Sequence, residues 1–245
     1  MAVLSPGVAN LISWWKFDES GGNAADSHGS NTLTNNGTTG YAAGLWGNCA
    51  DLGTANSTKY FSRTDALGLS VNAARSYGVL FKMRTEKSGA DSISKLMEIR
   101  HGANKASHQL GYERVSSVNR VFGGRVRIDV ADETVKSNVD LGTANWHQLI
   151  VTFSGTTQIL YLDATALGNS NPNTGDGTGI YSDGVGIGCD PVGNSTYMTS
   201  AYTDDSFAFN DVLTADEITW LWNGGVCRPF SALAGGGQFV RWSNE

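Results

Sequence analysis

The sequence has little that could cross-link a chain or carry it through a bilayer. Only 3 of its 245 residues are cysteine: Cys49, Cys189 and Cys227, an odd number with no two close together. Zinc clusters draw on closely spaced ligand pairs, so this spacing argues against one. Three reduced, half-buried thiols are the expected state, with one disulfide plus a free thiol as the alternative, because disulfides are scarce outside oxidising compartments. Proline is nearly as rare, with 4 residues against 31 glycines. That balance suits many tight turns between strands rather than a disordered linker. No apolar run approaches the length that spans a bilayer.

What is present suits a folded β domain. Hydrophobic residues make up 40% of the chain, with 7 Trp, 9 Phe and 8 Tyr, enough to build a core. Apolar and polar residues alternate in short runs every ten residues or so, the pattern of a sandwich. The expected strands are Leu11–Phe17, Tyr60–Ser62, Tyr77–Met83, Lys95–Arg100, Gln109–Tyr112, Arg125–Val130, Trp146–Phe153, Thr157–Leu162, Gly184–Ile187 and Asp205–Phe209. Gly168 to Asp183 has no periodicity and is expected to be a long surface loop. Residues 82–127 hold ten basic groups against four acidic ones, net +6, while the rest of the chain carries −12. Such a segment is either a solvated sheet face or a patch for an anionic glycan or an acidic protein surface. Without interleaved aromatics, and in a chain acidic overall, it does not point to nucleic acid.

The most informative stretch runs from Asp204-Asp205-Ser-Phe-Ala-Phe through Thr214-Ala-Asp-Glu217-Ile-Thr-Trp-Leu-Trp222 to Gly224-Gly225. It reads as a buried strand, a turn and one short helix. Thr214 and Glu217 have capping-box spacing, Ile218, Leu221 and Trp222 share a face, and Gly224 is the expected left-handed stop. Two further stretches accompany it. One opens the chain, from Trp14-Trp15-Lys-Phe17-Asp18-Glu19 to Asp26-Ser-His28-Gly29-Ser-Asn31; the other is Trp146-His147-Gln-Leu-Ile-Val-Thr-Phe153 followed by Tyr161-Leu-Asp163. Together, and in this order, they resemble the laminin-G-like, concanavalin A-like lectin family over roughly residues 10 to 225. The resemblance implies an all-β fold: a jelly-roll sandwich of two antiparallel sheets with one short helix on the C-terminal side. Residues 1–9 would form a lead, 10–226 the domain and 227–245 a tail, in which Phe239–Trp242 could add an edge strand or dock on a partner.

The family fold hosts many activities, so function must be read from sites. In relatives a calcium ion links the opening loop to the closing strand. The resemblance carries that role to Asp26 and Asp204, with Asn31 and the Gly29 carbonyl as helpers, since calcium seeks about six to eight oxygens. The alternative is an Asx-turn at Asp26 and a strand start at Asp204. For a glycan, the loop aromatics Tyr181, Tyr197 and Tyr202, with Asp176, Asp183 and Asn194, form the candidate ligand-binding set; capping the core is the alternative role of such tyrosines.

Catalysis is not expected. Retaining glycanases on this scaffold alternate acids along one strand so that two carboxyls stand about 5–5.5 Å apart. Here Asp204 and Asp205 are adjacent and should face opposite ways. His147 is read as an outward strand residue, and His101 and His108 as loop residues without an assigned partner. The start, Met1-Ala-Val-Leu-Ser-Pro6-Gly7, lacks the basic residues, apolar run and cleavage site of a secretory signal. The expectation is therefore a phage virion protein, a capsid decoration or a tail or fibre component. It would be made in the cytoplasm, contact other virion subunits or surface glycans, and involve no membrane and no nucleic acid. A homo-oligomer fits this reading. A free-standing extracellular carbohydrate-binding lectin is the alternative.

Overall fold

Period-two burial builds two layers. The structure, a computed structural model, describes residues 4–54, 58–85, 92–102, 106–116, 118–127, 134–139, 141–172 and 182–235. With strands numbered along the chain, the first sheet runs β13 (Thr165–Ser170), β12 (Gln158–Leu162), β11 (His147–Phe153), β6 (Arg75–Met83), β15 (Ala201–Phe209), β4 (Asn48–Asp51) and β3 (Gly40–Ala43). An eighth strand, β1 (Leu11–Trp15), also pairs with β15. The second sheet runs β10 (Val135–Asn138), β9 (Val118–Arg127), β8 (Ala106–Val115), β7 (Ser92–His101), β14 (Gly184–Ile187), β5 (Tyr60–Arg63) and β2 (Thr34–Asn36). All described pairings are antiparallel.

Alternate residues of the two sheets meet in one apolar layer that includes Trp15, Phe61, Val79, Phe81, Leu96, Ile99, Leu110, Val121, Leu149, Val151 and Leu160. The first sheet's other face is apolar too. There Trp14, Ile150, Tyr161, Phe207 and Phe209 pack beneath Leu213, Ile218, Leu221 and Leu233. These last come from the segment containing helix α1 (Ala215–Trp222) and helix α2 (Phe230–Gly235). A sheet buried on both faces reads as a nearly continuous buried run, which is what β15 shows.

Helix α1 starts where the sequence places it. Glu217 N–H donates to the Thr214 hydroxyl at 3.3 Å, and Thr214 N–H to Glu217 Oε2 at 2.8 Å. Its end differs from the expectation by one residue: Asn223 takes the left-handed cap at φ 49°, and Gly224 follows at φ 67°. Asparagine tolerates that region because its short polar side chain adapts to it. Helix α2 lies inside the segment assigned from sequence to a tail. It contributes Leu233 and Phe230 to the outer apolar layer, beside the buried Cys227. Phe239–Trp242 lies outside the described residues.

Short strands β2, β3, β4, β10 and β13 escaped the sequence reading. They run through polar, Gly- and Asn-rich segments in which too few apolar residues alternate to register. The predicted loop from Gly168 therefore begins as the end of β13. Part of the basic segment also departs from both readings given to it. Lys95, Glu98 and Arg100 are buried where the stretch from Asp190 to Thr199 folds over the outer face of the second sheet, and Arg125 is buried as well. Lys95 Nζ bonds Glu98 Oε2 at 2.8 Å, Arg100 Nε bonds Glu98 Oε1 at 3.2 Å, and Arg100 Nη2 reaches Asp190 Oδ2 at 2.9 Å. All three cysteines are free and buried.

Candidate ligand-binding site

The sequence-predicted site residues fall in separate places. Asp26 is the hub of the opening loop. Its Oδ1 accepts the N–H groups of Trp14 and His28 and its Oδ2 that of Asn31, each at 3.0 Å. Burial acts to raise this carboxyl, but the N–H groups of Gly29, Trp14, His28 and Asn31 together hold it below its ordinary range. Asn31 is engaged as well, its amide on the Ser13 hydroxyl and its carbonyl on Trp15 Nε1. Asp204 sits in another cradle, its Oδ2 accepting Leu45 N–H at 2.7 Å and Trp46 N–H at 3.2 Å. The two cradles are built from different backbone segments, residues 14, 28 and 31 around Asp26 and residues 45 and 46 around Asp204. Asp26 is the Asx-type hub that the alternative reading expected.

The ligand-binding set is likewise dispersed. Tyr181 and Asp176 lie outside the described residues. Asp183 accepts Gly102 N–H at 2.7 Å. Asn194 caps a single 3-10 turn through Thr196 N–H. The Tyr197 ring roofs the Lys95 ammonium at 4.0 Å, and Tyr202 lies under the Arg84 guanidinium at 5.0 Å. Tyr197, half-buried, thus covers the buried ion network, while Asn194 stays exposed beside it. His147 corrects its sequence reading: it shares the inward side of β11 with Leu149 and Val151, 6.0 Å from the Phe81 ring. Asp163 Oδ2 at 2.8 Å raises the His147 pKa. His101 and His108 end paired strands and are buried. Burial first, then the neighbouring Arg75, holds His101 down at about 4.

One site does assemble, at a fork in the first sheet. Strand β15 pairs with β4 at Tyr202 and Thr203 and with β1 from Ser206 onward. Asp204 and Asp205 occupy the gap between those neighbours. A bulge lies there too: from Thr203 to Ser206 the chain takes three steps while its partner β6 takes two, from Phe81 to Val79. An extra residue reverses the alternation. Ala201 and Ala208 face the inter-sheet core, whereas Phe207 and Phe209 face outward. Counting from both ends puts Asp204 and Asp205 on the same outer side, contrary to the expectation of opposite faces.

Two loops close on this fork. Asp18, just beyond β1, accepts Asn48 N–H at 3.1 Å and pairs with the Lys16 ammonium at 2.8 Å. Gly44 and Gly47 bracket the turn carrying Trp46. A Cβ on Gly44 would collide with Asp204 Oδ2, and one on Gly47, where φ is 77°, with Asp18 Oδ1. Asp205 takes the Trp14 indole N–H. Asp204 Oδ1 is buried and has no hydrogen-bond partner among the described residues. Above the carboxyls lies an open hollow of about 370 Å³, bounded by Lys16, Asp18, Trp46, Asp205, Phe230 and Ser231. Trp46 is 41% exposed there, and its indole N–H rests on the Val226 carbonyl at 3.2 Å. The sequence reading missed this hollow; the available signal was an aromatic residue between glycines, outside any strand pattern.

Burial drives the Asp204 carboxyl up to about 7, with Asp18 adding to the effect; burial likewise raises Asp205 well above its ordinary range, with Asp204 adding to it. Unfolded, Asp204 ionises near 3.8. The folded state therefore binds the extra proton between these values. This side chain's contribution to stability is complete below its unfolded pKa and is lost as pH rises through 7. Asp204→Asn keeps an acceptor for Leu45 and Trp46 but cannot titrate. Relative to that variant, the wild type should gain about 2 kcal/mol between pH 7 and 5.5. Urea titrations of both proteins at the two pH values measure this, and parallel stabilities would refute it.

The sequence profile of the Concanavalin A-like lectin/glucanases superfamily matches residues 107–219. The fold is a concanavalin A-like jelly roll. No curated protein matches the chain. Domain 4 of a GH43 extracellular arabinanase from Geobacillus stearothermophilus, solved with arabinotriose, matches this jelly roll with TM-score 0.60. Identity is 16% over 86% of this chain and 97% of that one. Trypanosoma rangeli sialidase with sialic acid matches at TM-score 0.62 and 12% identity, over 91% of this chain but 33% of its own. The binding domain of botulinum neurotoxin DC, solved with rat synaptotagmin II, gives TM-score 0.57 and 10% identity, over 87% and 51%. The jelly roll thus spans about a third of the sialidase and about half of the neurotoxin chain.

Proposed function

We propose that this jelly roll is a non-catalytic glycan-binding module that grips a sugar in the hollow beside Trp46. The observation carrying this reading is the exposed indole on one wall, facing Lys16, Asp18 and Ser231 across a concave site. Sugar sites combine an apolar surface for the ring's C–H face with a few convergent polar groups for its hydroxyls. The carboxyls at the fork are committed to the fold: Asp18 to Asn48 and Lys16, Asp204 to the Trp46 turn, Asp205 to Trp14. Those bonds favour positioning over chemistry. The arabinotriose-bound neighbour supports a saccharide ligand, and the synaptotagmin-bound neighbour supports a fold that can also meet protein.

In its narrower form, the module belongs to a phage virion, where it contacts surface glycans or other subunits. Three buried free thiols support assembly in a reducing cytoplasm. The test is a glycan microarray followed by calorimetry, with calcium and with chelator. Trp46→Ala is expected to weaken binding at least about tenfold, the equivalent of losing roughly 1.4 kcal/mol. Its melting point should fall only modestly, because the residue is partly exposed and its indole donates to the Val226 carbonyl alone among the described residues. Release of reducing sugar, or unchanged affinity in the variant, would defeat this reading.

A further inference from the structure

We infer that the ion pair of Lys16 and Asp18 makes the hollow a reader of vicinal diols, selecting sugar rings that present two neighbouring, unsubstituted hydroxyls in gauche relation. This rests on the glycan-binding reading above and adds the class of ligand. Both side chains line the hollow, and Lys16 Nζ stands 2.8 Å from Asp18 Oδ2. A staggered O–C–C–O torsion of about 60° holds two neighbouring hydroxyl oxygens roughly 2.9 Å apart. The two spacings match, so a diol laid along the pair closes a ring of hydrogen bonds. One hydroxyl accepts from the ammonium, and its neighbour donates to the carboxylate. Hydrogen bonds to ionised groups are the stronger ones.

The pair has capacity left over and is held in place. An ammonium carries more than one donor, and each carboxylate oxygen more than one lone pair. Among the described residues Lys16 donates to Asp18 alone. Asp18 Oδ1 takes the Asn48 N–H at 3.1 Å, and the Asp18 backbone carbonyl takes the Asn48 side-chain amide at 3.2 Å. The hydrogen bond from Asp18 raises the Lys16 pKa, so the ammonium keeps its protons. Between the two, Phe17 sits at φ 57°, a left-handed conformation that bulky side chains rarely take, with its ring anchored in the core 5.2 Å from Phe61. Strain of this kind persists where the surroundings over-determine it, as they do at ligand clamps. Opposite charges cancel in the pair, which leaves a dipole suited to neutral hydroxyls. Trp46 and Phe230 supply ring surface for the C–H face of the same sugar.

Calorimetry on the full chain with methyl glycosides of 1,4-linked gluco-, manno- and galacto-hexaoses tests the inference. Each sugar is used unmodified, methylated at every 6-oxygen, or methylated at every 3-oxygen. The two methylated forms are equal in bulk, but only the 3-O-methyl form breaks every neighbouring hydroxyl pair. At least one unmodified sugar should bind, with little change on 6-O-methylation and about tenfold weakening on 3-O-methylation. The factor is modest for a polar contact because Lys16 and Asp18 are 40% and 39% exposed, so water can replace a lost hydroxyl. Lys16→Met removes the ammonium, leaves Trp46 in place and should abolish the difference between the methylated forms. Methylated forms that bind equally to the wild type, with binding still lost in Trp46→Ala, would overturn the diol selectivity and leave the module a glycan binder. Binding by none of the sugars would overturn the glycan reading and the selectivity together. A sensitivity to 3-O-methylation that survives Lys16→Met would place diol recognition elsewhere and overturn this assignment.

Discussion

Replacing Glu98 with alanine is expected to destabilise the protein by about 3–5 kcal/mol, the usual cost of breaking a buried ion pair from one side. Glu98 is fully buried on β7 and holds Lys95 through Oε2 and Arg100 through both oxygens. Removing it leaves Arg100 its bond to Asp190 but takes from Lys95 the carboxylate that holds it. A buried ammonium without its anion must be hydrated or lose its proton, and both weaken the lid carrying Asn194 and Tyr197. Since a domain's whole stability is roughly 5–15 kcal/mol, the variant should melt far earlier. The double variant Lys95→Met/Glu98→Leu should recover much of the loss, because apolar residues of similar volume replace buried ion pairs at little cost. Urea midpoints decide the matter; an alanine variant within 1 kcal/mol of wild type would mean that water reaches the network.

The second large effect concerns Trp14. Its ring stacks on Phe207 at 4.8 Å and meets Phe230 at 5.9 Å, so it joins the sheet's outer face to helix α2. Its indole N–H serves the buried Asp205 carboxyl. Trp14→Ala should cost about 3–5 kcal/mol from the cavity alone, with a further contribution from the stranded carboxyl. Trp14→Phe keeps most of the ring area and removes only the donor, so a loss of about 1–3 kcal/mol is expected. Denaturant unfolding of the pair separates packing from the hydrogen bond. Equal losses would show that the donor carries the whole effect.

These two positions show how differently fold and site were legible. Trp14 and Trp15 sit in an alternating run, and a strand with one indole inward and one outward follows from period two. Both layers that receive them are present. Glu98 and Lys95 belong to a run whose charges read as solvated, because the sequence does not show that residues 190–199 fold back over them. The same limit hid the binding hollow. Lys16 and Asp18, Trp46, Asp205, and Phe230 with Ser231 come from four separate stretches, each ordinary alone. Two aspartates in succession read as opposed until the bulge between Thr203 and Ser206 placed them together.

Local chemistry written in the chain was therefore sufficient for the sandwich, its longer alternating strands and the start of its capped helix, though not for five short polar strands: side-chain period and the Thr214–Glu217 box act over a few residues and need no distant partner. The fork of β15 between β1 and β4, the shared side of Asp204 and Asp205, and the hollow beside Trp46 were settled only when remote segments met. Register and burial are relations between strands, and no single stretch of sequence contains them.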